Sequence, residues 1–502
     1  MSTATIVWFR RDLRLSDNPA LRAAAATGDP VVPLFIWEAA DGPWAPGAAS
    51  RWWLWHSLKA LDTELRARGS RLLVLRGPVI STLARVAAAC NAGRLHFAHT
   101  GDPGEPTAAE IRRAVAAAGA ELTVSAWPPN LLFGPPFPAA KGGRPYQAFT
   151  PFWRACRAAD PPTPPLPVPS SLPAPATWPA GIDLCARAHE AVRPWSHGFT
   201  AVWRPGEAGG RERLDAFVQA GVGTYAQTRD RVDVPGTSRL SAHLHFGEVS
   251  AATVWHAIED AVRGAPGSCS SDSAEAFLRQ LAWREFAYHV LMEHPHAPEA
   301  PLRPDYAAFP WHDDPEALEI WQRACTGYPL VDAGLRELWQ TGWMHNRARL
   351  VCASFLCKHL LVRWQHGARW FWDTLVDADL ADNSLGWQWV AGSGTDAAPY
   401  FRIFNPVLQG RRYDPGGAYV RKWLPELARL PDAFIHAPWE APANELRRAG
   451  VRMVSAQEAA SITPDALGPR PLPHGLYPEP VIDHRVGRRR ALEAFNHLRR
   501  GY

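Results

Sequence analysis

Carboxylates, an amide and indoles are concentrated in one stretch of the sequence, between Asp373 and Pro406. Small residues separate the carboxylates, and two glycines follow the indoles, where they permit a ligand to approach the backbone closely. Combined with arginines elsewhere in the chain, this set fits a planar cofactor carrying phosphates better than a nucleophile-base hydrolase. The residues that could do this chemistry are Asp377, Asp379, Asn383, Trp387 and Trp389.

A second segment, Ala274 to Met292, has apolar residues at helical spacing and is predicted to be a helix. Gln280, Trp283 and Arg284 fall at i, i+3 and i+4, so they share one face. An amide, an indole and a guanidinium on one face could read a base edge, stack on the base and hold a phosphate. An ordinary amphipathic helix with one buried tryptophan explains the same spacing.

The third segment, Asp332 to Trp364, is predicted to be one helix, in which His345, Asn346, Arg347 and Arg349 precede a largely apolar body. A continuous helix from Leu350 to Trp364 would rise roughly 21 Å. A polar cluster on a buried helix needs partners, because unpaired buried charges are costly. The carboxylates of the first segment, or the phosphates of a ligand, could supply them.

Several other kinds of site are excluded. The sequence has no Gly-x-Ser-x-Gly, no His-Glu-x-x-His and no phosphate loop of the Gly-x-x-x-x-Gly-Lys type, and the turn after the first strand lacks Gly-x-Gly-x-x-Gly. The seven cysteines show no zinc spacing, which predicts free thiols in a reducing cytoplasm and no metal site. Without a leader or an uncharged run near the ~20 residues that span a bilayer, we expect a soluble, cytoplasmic protein.

The net charge and the number of tryptophans give limited information on what the protein binds. A net charge of +4 permits a polyanionic partner without requiring one. The 24 tryptophans exceed what core packing alone would need in a chain of 502 residues, so some of them are expected to have a function.

The beginning of the chain predicts the elements of an α/β fold. Apolar strands are expected at Thr5–Phe9, Val31–Trp37 and Arg71–Leu75, with helices from about Asn18 and over Ala49–Arg68. Short apolar strands between amphipathic helices indicate a doubly wound parallel sheet. Beyond residue 211 strand patterns nearly vanish, and the remainder is predicted to be helical.

Composition divides the chain into four parts. Prolines are so dense between Pro161 and Pro179 that neither helix nor sheet can persist, which predicts a linker. The predicted parts are an α/β domain (1–130), a proline-rich linker (131–200), a helical domain (201–485) and a short tail (486–502).

The stretch from Trp387 to Pro406 resembles the flavin-site signature of the photolyase and cryptochrome family. Five further stretches resemble motifs of the family in the same order, so the resemblance covers nearly the whole chain and is strongest to bacterial class I and class III photolyases for cyclobutane pyrimidine dimers. These stretches are Val7–Asn18, Gly236–Ser241, Trp283–Phe286, Thr326–Ala333 and Gly342–Arg347.

The resemblance implies an antenna domain and a helical domain that holds FAD beneath a DNA-facing hole. Arg349 and Asp377 would form an ion pair beside the isoalloxazine, Asp379 would accept from its polar edge, and Asn383 would face N5. The residues expected to hold FAD are Tyr225, Thr237, Ser238, Arg239, Leu240, Ser241, Gln280, Arg284, Asn346, Arg349, Asp377, Asp379 and Asn383.

The activity implied is that of a deoxyribodipyrimidine photo-lyase, a carbon-carbon lyase for UV-damaged DNA. Photoexcited reduced flavin would give an electron to the dimer, the ring would open, and the electron would return. A three-tryptophan chain would photoreduce the flavin, although three core indoles are the alternative interpretation. The residues expected to take part are Trp387, Trp364, Trp311, Asn383 and Gln280.

On the substrate side the resemblance implies base flipping, with two indoles stacked on the lesion and side chains that hold the lesion or a DNA phosphate. These residues are Arg229, Trp283, Asn346, Arg347, Leu350, Trp389 and Arg402. The stretch from Pro43 to Trp53, with Trp52, resembles a bacterial folate-binding branch, so methenyltetrahydrofolate is the expected antenna chromophore. A deazaflavin, or no antenna, is the alternative, and a monomer is expected.

Two positions depart from the usual dimer-repair pattern: Gln280 replaces a glutamate and Leu350 replaces a methionine. Gln280 can donate to a pyrimidine carbonyl but cannot supply a proton, so less efficient repair is expected. Relatives that repair the (6-4) photoproduct also have the glutamine, but they place histidines where this chain has Asn346 and Leu350. A blue-light-sensing cryptochrome with little repair activity is the main alternative.

Overall fold

The structure is a computed structural model that describes residues 3–38, 42–140, 142–182, 193–264, 271–396, 401–462 and 468–500. In these ranges no helix combines the length and apolar character needed to cross a membrane. The chain forms two compact units, the N-terminal unit (Met1–Ala226 with Ser238–Glu293) and the C-terminal unit (Gln227–Thr237 with His294–Tyr502). This division differs from the predicted domains, because most of the chain from 201 to 293 belongs with the N-terminal unit.

A five-stranded parallel sheet forms the framework of the N-terminal unit, as the sequence predicts. Its strand order is β3-β2-β1-β4-β5, so the direction of winding reverses between β1 and β4. Both faces are covered by helices, and residues such as Ile6, Leu34 and Phe97 are fully buried. The strands are β1 (Ala4–Phe9), β2 (Val31–Trp37), β3 (Leu73–Arg76), β4 (Ala92–Ala98) and β5 (Thr123–Trp127).

Ten helices accompany the sheet among the residues that the structure describes up to 293. Asn18 caps the first one, and Thr107 with Glu110 forms a capping box at the fourth. They are α1 (Pro19–Ala25), α2 (Ala48–Arg66), α3 (Val79–Cys90), α4 (Ala108–Ala117), α5 (Phe149–Ala158), α6 (Glu207–Ala220), α7 (Tyr225–Thr228), α8 (Ser241–His245), α9 (Ala251–Gly264) and α10 (Ser271–Glu293).

The proline-rich segment 161–179 has neither helix nor strand, as predicted. It is held to the N-terminal unit by backbone bonds, because Asp17 donates to Leu166 (2.8 Å) and Val31 donates to Pro173 (2.7 Å). The wider predicted linker, 131–200, contains helix α5. Its apolar residues, including Phe149, recur at helical spacing and are buried, and this pattern outweighs the surrounding prolines.

Over its described residues the C-terminal unit is mostly helical, with one short parallel strand pair, β6 (Arg452–Val454) and β7 (Leu476–Pro478). Polar residues are buried in it: the Asp332 carboxylate accepts from Thr326 N–H (2.9 Å) and from the Tyr477 hydroxyl (2.8 Å). Its helices are α11 (Pro315–Gln322), α12 (Pro329–Thr341), α13 (Asn346–Ser354), α14 (Trp364–Thr374), α15 (Leu380–Ala391), α16 (Pro406–Tyr413), α17 (Ala418–Trp423), α18 (Ala443–Ala449), α19 (Ala456–Ser461) and α20 (His484–Arg500).

The single helix predicted from Asp332 to Trp364 is wrong. Helix α12 ends at Gly342, which adopts a left-handed φ of 67°, and His345 caps a new helix by accepting from the N–H of Arg347 (3.1 Å). A π-helical turn (Phe355–His359) and a break before Trp364 follow. The continuous rise from Leu350 to Trp364 therefore does not exist.

Residues 486–500, predicted to lie in a short tail, are part of α20. Ala491, Ala494 and Leu498 on this helix are buried and pack with Tyr306 and Phe309. The helix is therefore part of the core of the C-terminal unit.

Candidate functional site

Helix α15 presents the polar groups and the indoles of the first segment at helical spacing. Asp379 caps it: one carboxylate oxygen accepts from two backbone N–H groups of the first turn (3.0 and 3.2 Å), and only 4% of the residue is exposed. Asn383 and Trp387 follow at intervals of four residues, so one helix face carries a carboxylate, an amide and an indole. The Asn383 amide donates to the carbonyl of Ala368 on α14 (3.1 Å), which orients it.

The expected ion pair between Arg349 and Asp377 is present. Nη2 of Arg349 donates to both carboxylate oxygens of Asp377 (2.8 and 3.0 Å), and Nε donates to the carbonyl of Met344 (2.8 Å). The Asp377 side chain is 3% exposed and that of Arg349 is 24% exposed. The pair thus holds a charged guanidinium in a fixed orientation on α13.

The three tryptophans predicted to relay electrons all lie in the C-terminal unit. Trp364 and Trp387 are buried, each 2% exposed, and Trp311 is partly exposed. Gly367 on α14 makes room for Trp387, because a Cβ at this position would lie 2.1 Å from the indole. An isolated β-bridge pairs His312, next to Trp311, with Val362, close to Trp364.

A fourth indole beside this set was missed by the sequence reasoning. Trp321 is fully buried, with its ring centroid 6.5 Å from that of Trp387 in an edge-to-face arrangement. Its N–H donates to the carbonyl of Cys352 (3.0 Å), and its ring stacks on Phe371. No motif surrounds Trp321 in the sequence, so only the packing identifies it.

Helix α13 carries three of the residues predicted to hold the lesion. Asn346 is exposed, whereas Arg347 and Leu350 are partly exposed. Arg347 pairs with Asp230 (2.8 Å), and its guanidinium lies 4.4 Å from the ring centroid of Tyr413. These two partners, which the sequence did not indicate, fix Arg347 within the C-terminal unit.

Other predicted substrate contacts in this unit lie near aromatic rings. The guanidinium of Arg402 is 5.8 Å from the ring centroid of Trp389, which stacks on Phe404 at 6.5 Å. Arg229 and Thr237 belong to the short segment 227–237, which packs with the C-terminal unit. Residues 397–400 of the signature stretch lie outside the described residues.

The helix predicted from Ala274 to Met292 is confirmed as α10 of the N-terminal unit. Its spacing places Gln280, Trp283 and Arg284 on one face. Trp283 stacks on Phe149 of α5, with ring centroids 3.8 Å apart and planes 9° apart. Arg284 donates to the carbonyl of Asn130 (2.7 Å), so this guanidinium supports a loop within the same unit. Gln280 donates to a carbonyl one turn earlier on its own helix (3.3 Å).

The turn from Ser238 to Ser241 has an unusual backbone. Arg239 adopts a left-handed φ of 53°, and Leu240 follows in the right-handed region, at φ −86°. Within this turn the N–H of Leu240 donates to the hydroxyl of Ser238 (3.4 Å). The Tyr225 ring, also predicted to be near the cofactor, is buried (7% exposed).

A buried lysine adjoins the end of α15. Lys358, in the π-helical turn, is 1% exposed, donates to the carbonyl of Ala391 (2.6 Å) and lies 3.4 Å from the ring centroid of Phe401. Burial lowers the pKa of this amine from 10.5 to about 7. The lysine thereby ties the π-helical turn to the end of α15.

Comparison with known proteins agrees with these features. Residues 5–170 match the DNA photolyase family, and residues 277–497 match the FAD binding domain of DNA photolyase. A deoxyribodipyrimidine photo-lyase of Agrobacterium fabrum is 42% identical over 98% of this chain and 97% of that protein. The chain belongs to the DNA photolyase and cryptochrome family.

Two other members of the family extend the comparison. The crystal structure of a bacterial class III photolyase from Agrobacterium tumefaciens matches with a TM-score of 0.90 at 41% identity, covering 100% of this chain and 98% of the other. Cryptochrome-1 of Arabidopsis thaliana is 38% identical over 90% of this chain and 67% of that protein. Both photolyases and cryptochromes thus resemble this chain over most of its length.

The described residues suit the FAD that this family's C-terminal domain binds. In the C-terminal unit, Arg349, Asp379 and Asn383 offer both donors and acceptors to a planar heterocycle. Asp377 and Asp379 are nearly buried and are held in place by Arg349 and by the first turn of α15, so both carboxylates have fixed positions.

The folate interpretation of Pro43–Trp53 is not supported by its tryptophans. Trp52 and Trp53 are 1% and 0% exposed. Trp52 packs edge-on against Phe199, and the Trp53 N–H donates to Glu248 (3.0 Å). Both indoles are enclosed in the core of the N-terminal unit and have no free face on which a chromophore could stack.

Proposed function

We propose that this protein is a light-dependent deoxyribodipyrimidine photo-lyase that repairs cyclobutane pyrimidine dimers in UV-damaged DNA. The observation that carries the proposal is the face of α15 on which Asp379, Asn383 and Trp387 recur every four residues beside the Arg349–Asp377 ion pair. The names of relatives at 42% identity over nearly the full chain support the same activity.

FAD, when bound and reduced, supplies the electron that opens the dimer under blue light and takes it back afterwards. Arg349, paired with Asp377, would place a positive charge beside the flavin ring, and the Asp379 carboxylate would accept a hydrogen bond from the ring edge. The Asn383 amide would face N5. Residues from Thr237 to Ser241, with Tyr225, would hold the phosphates and neighbouring groups.

The substrate is a pyrimidine dimer turned out of the duplex. Trp283 and Trp389 would stack on the flipped dimer, which replaces the base stacking lost from the helix. Arg347 and Arg402 would hold its polar groups, and Arg229 would contact a DNA phosphate. Gln280 would donate to a pyrimidine carbonyl, as an amide can, without supplying a proton.

A second chromophore and a monomeric state are also proposed. A methenyltetrahydrofolate or a deazaflavin would act as the antenna, at a site that does not use the two enclosed tryptophans of α2. An absorption spectrum of the purified protein would identify the chromophore by its band, and light scattering would give the mass in solution.

One assay tests the activity. The protein with reduced FAD is incubated with an oligonucleotide containing a thymine dimer, under blue light and in darkness, and restored thymines are counted by chromatography. Light-dependent restoration is expected. If photoreduction of the flavin is intact and no thymine is restored, the function is that of a light sensor, as in the cryptochrome relatives.

A parallel assay with (6-4) photoproduct is expected to give no repair, because Asn346 and Leu350 provide no acid-base pair.

A further inference from the structure

Lys358 is a buried cation without a carboxylate partner. It lies in the π-helical turn Phe355–His359 and is 1% exposed. Among the residues that the structure describes, no aspartate or glutamate forms an ion pair with it. Burying a charge without a counter-ion is costly, and an apolar side chain of similar size would avoid this cost. Stability alone therefore does not account for a lysine at this position.

The ammonium group of Lys358 joins two separate segments of the C-terminal unit. It donates to the carbonyl of Ala391 (2.6 Å), the last residue of α15, where the helix dipole concentrates partial negative charge. It also lies 3.4 Å from the ring centroid of Phe401, within the reach of about 6 Å for a cation–π interaction. One cation thus holds the end of α15 to Phe401, which an apolar side chain could not do.

A second contact fixes the ring of Phe401. This ring stacks on Phe495 of α20, with centroids 4.5 Å apart and planes 7° apart. On the same helix, Ala491 and Leu498 are buried in the core of the C-terminal unit, so the stacking partner is on a rigid support. The ring of Phe401 is therefore held both by α20 and by the π-helical turn.

The two segments that Lys358 joins each carry a residue predicted to hold the lesion. Trp389 precedes Ala391 by two residues, and Arg402 directly follows Phe401. The guanidinium of Arg402 lies 5.8 Å from the ring centroid of Trp389, near the outer limit of a cation–π contact, where the attraction is weak. The separation of these two side chains therefore depends also on the contacts made by their neighbours, Ala391 and Phe401.

We propose that Lys358 is a positioning residue for lesion recognition, which holds Trp389 and Arg402 at the separation at which both contact a flipped pyrimidine dimer. The inference rests on the function proposed above, because it takes the flipped dimer as the substrate. Lys358 is enclosed, so it acts through Ala391 and Phe401 and does not touch the DNA.

The experiment uses the full-length protein with FAD at about pH 6, below the pKa of about 7 to which burial lowers the Lys358 amine, so that the amine is charged. The first variant is K358M, which keeps a long flexible side chain without the donor or the charge. Fluorescence anisotropy measures the Kd for a duplex with a thymine dimer and for the same duplex undamaged. Melting temperature and flavin absorbance report folding and cofactor content.

Two further variants test the contact from its other partner. F401L removes the aromatic face that the ammonium meets, and K358M/F401L removes both partners. The matched control is C357A, because Cys357 is the neighbouring residue of the π-helical turn and is also fully buried. Its truncation removes apolar packing from this turn but leaves the amine of Lys358 in place.

In K358M the Kd for the dimer duplex is expected to rise roughly fivefold to tenfold, the effect of losing a desolvated cation–π contact and a hydrogen bond. The Kd for undamaged DNA should change less than about twofold, because no flipped base needs to be held. F401L should have the same effect, and the double variant should lose no more than the larger single loss, since both substitutions remove one contact. C357A should keep the wild-type ratio of the two Kd values even where its melting temperature falls.

A wild-type ratio of the two Kd values in K358M would overturn the proposal, whatever the melting temperature of the variant. An equal loss of dimer affinity in C357A would also overturn it, because recognition would then follow the stability of the turn. Additive losses in K358M and F401L would show two independent effects and have the same consequence. A wild type that neither prefers nor repairs the dimer duplex would overturn the proposed function together with this inference, whereas the other three outcomes leave the proposed function intact.

Discussion

Phe149 of α5 stacks on Trp283 of α10, with ring centroids 3.8 Å apart and planes 9° apart. Phe149 is 1% exposed, and the guanidinium of Arg279 lies 5.1 Å from its ring centroid. One side of the Trp283 indole is therefore covered and its orientation is fixed before any substrate arrives. A preoriented indole loses less entropy when a flipped base stacks on it.

Phe149→Leu should weaken binding of damaged DNA while leaving the N-terminal unit folded. Leucine keeps the apolar bulk but not the flat surface, so the Kd for a dimer-containing duplex is expected to rise about threefold to tenfold. Binding of undamaged DNA should change little, because the proposed stacking on Trp283 requires a flipped dimer. Both affinities can be measured by fluorescence anisotropy.

Phe152→Leu is the matched control. Phe152 is on the same helix and is fully buried, but it packs on Phe286 and His289 instead of Trp283. Equal losses of dimer affinity in the two variants would attribute the effect to destabilisation of α5 and would contradict a positioning role for Phe149.

Asp377→Asn should release FAD. The substitution leaves Arg349 without its carboxylate partner in a largely buried place, so the free energy of unfolding of the protein with FAD is expected to fall by about 2 kcal/mol. The Kd for FAD is expected to rise at least roughly tenfold for the same reason. Flavin absorbance after gel filtration and urea unfolding measure the two quantities.

Glu299→Gln provides the comparison for this ion pair. Glu299 pairs with Arg369 at the same 2.8 Å distance, but both side chains are more than 40% exposed. Loss of this pair should cost less than about 1 kcal/mol and leave FAD bound. Full retention of FAD by the Asp377 variant would show that the ion pair does not support the cofactor.

Gly367→Ala should slow photoreduction of the flavin by displacing Trp387. The new Cβ would lie 2.1 Å from the indole, so the ring must move, at a cost of about 1–3 kcal/mol in the free energy of unfolding. Electron transfer along the predicted tryptophan chain would depend on the positions of the indoles, and the rate of flavin bleaching under blue light with an external reductant would report it.

The control is Gly386→Ala on α15. A Cβ at Gly386 meets nothing within 4 Å, so this variant should be as stable as the wild type or more stable by up to about 1 kcal/mol. Its photoreduction rate should be unchanged. A wild-type rate in the Gly367 variant would argue against Trp387 as the first electron donor.

Because of Lys358, the free energy of unfolding should depend on pH between about 7 and 10.5. Burial lowers its folded-state pKa to about 7 from 10.5, so unfolding takes up a proton between these two values. The free energy of unfolding should therefore rise as pH increases from about 7 towards 10.5, because the cost of burying this amine is full below pH 7 and falls progressively until the unfolded-state lysine also loses its proton near pH 10.5.

Lys358→Met should remove this contribution. The melting temperature of the wild type, relative to that of the variant, is expected to increase between pH 7 and pH 9. Lys422→Met, at an exposed lysine, serves as control and should keep the pH dependence of the wild type. Parallel melting curves of the wild type and the Lys358 variant across this range would contradict a deprotonation of Lys358.

The sequence predicted those features of the site that lie within a single helix, and the order of strands and helices in the N-terminal unit. The face of α10 follows from helical spacing alone, and the α/β order from alternating patterns. The residues of α15 were named from the sequence, but the helix that presents them was not predicted. The break at Gly342 and the cap at His345 were missed because the apolar pattern continues across them. Phe149 was missed because its helix lies in a proline-rich region.

Contacts between distant parts of the chain could not be predicted in this way. Arg347 meets Asp230 from over a hundred residues away, and neither sequence neighbourhood indicates the pairing. The amphipathic pattern of Arg488 to Leu498, by contrast, was available in the sequence. The burial of Trp52 and Trp53 could not be predicted either. Their resemblance to a folate-binding branch concerns residue type, which does not tell whether an indole lies at the surface or in the core.

Gln280→Glu and Leu350→Met together should raise the efficiency of repair. A glutamic acid can supply a proton to the dimer as negative charge develops on it, whereas the Gln280 amide cannot, and it already donates to the carbonyl of Ala276 (3.3 Å). Methionine at 350 adds a polarizable sulfur. The number of dimers repaired per absorbed photon is expected to rise by roughly twofold, with the Kd for damaged DNA changed less than about twofold. An unchanged yield in the double variant would mean that these two side chains do not limit ring opening, and that electron transfer from the flavin sets the yield instead.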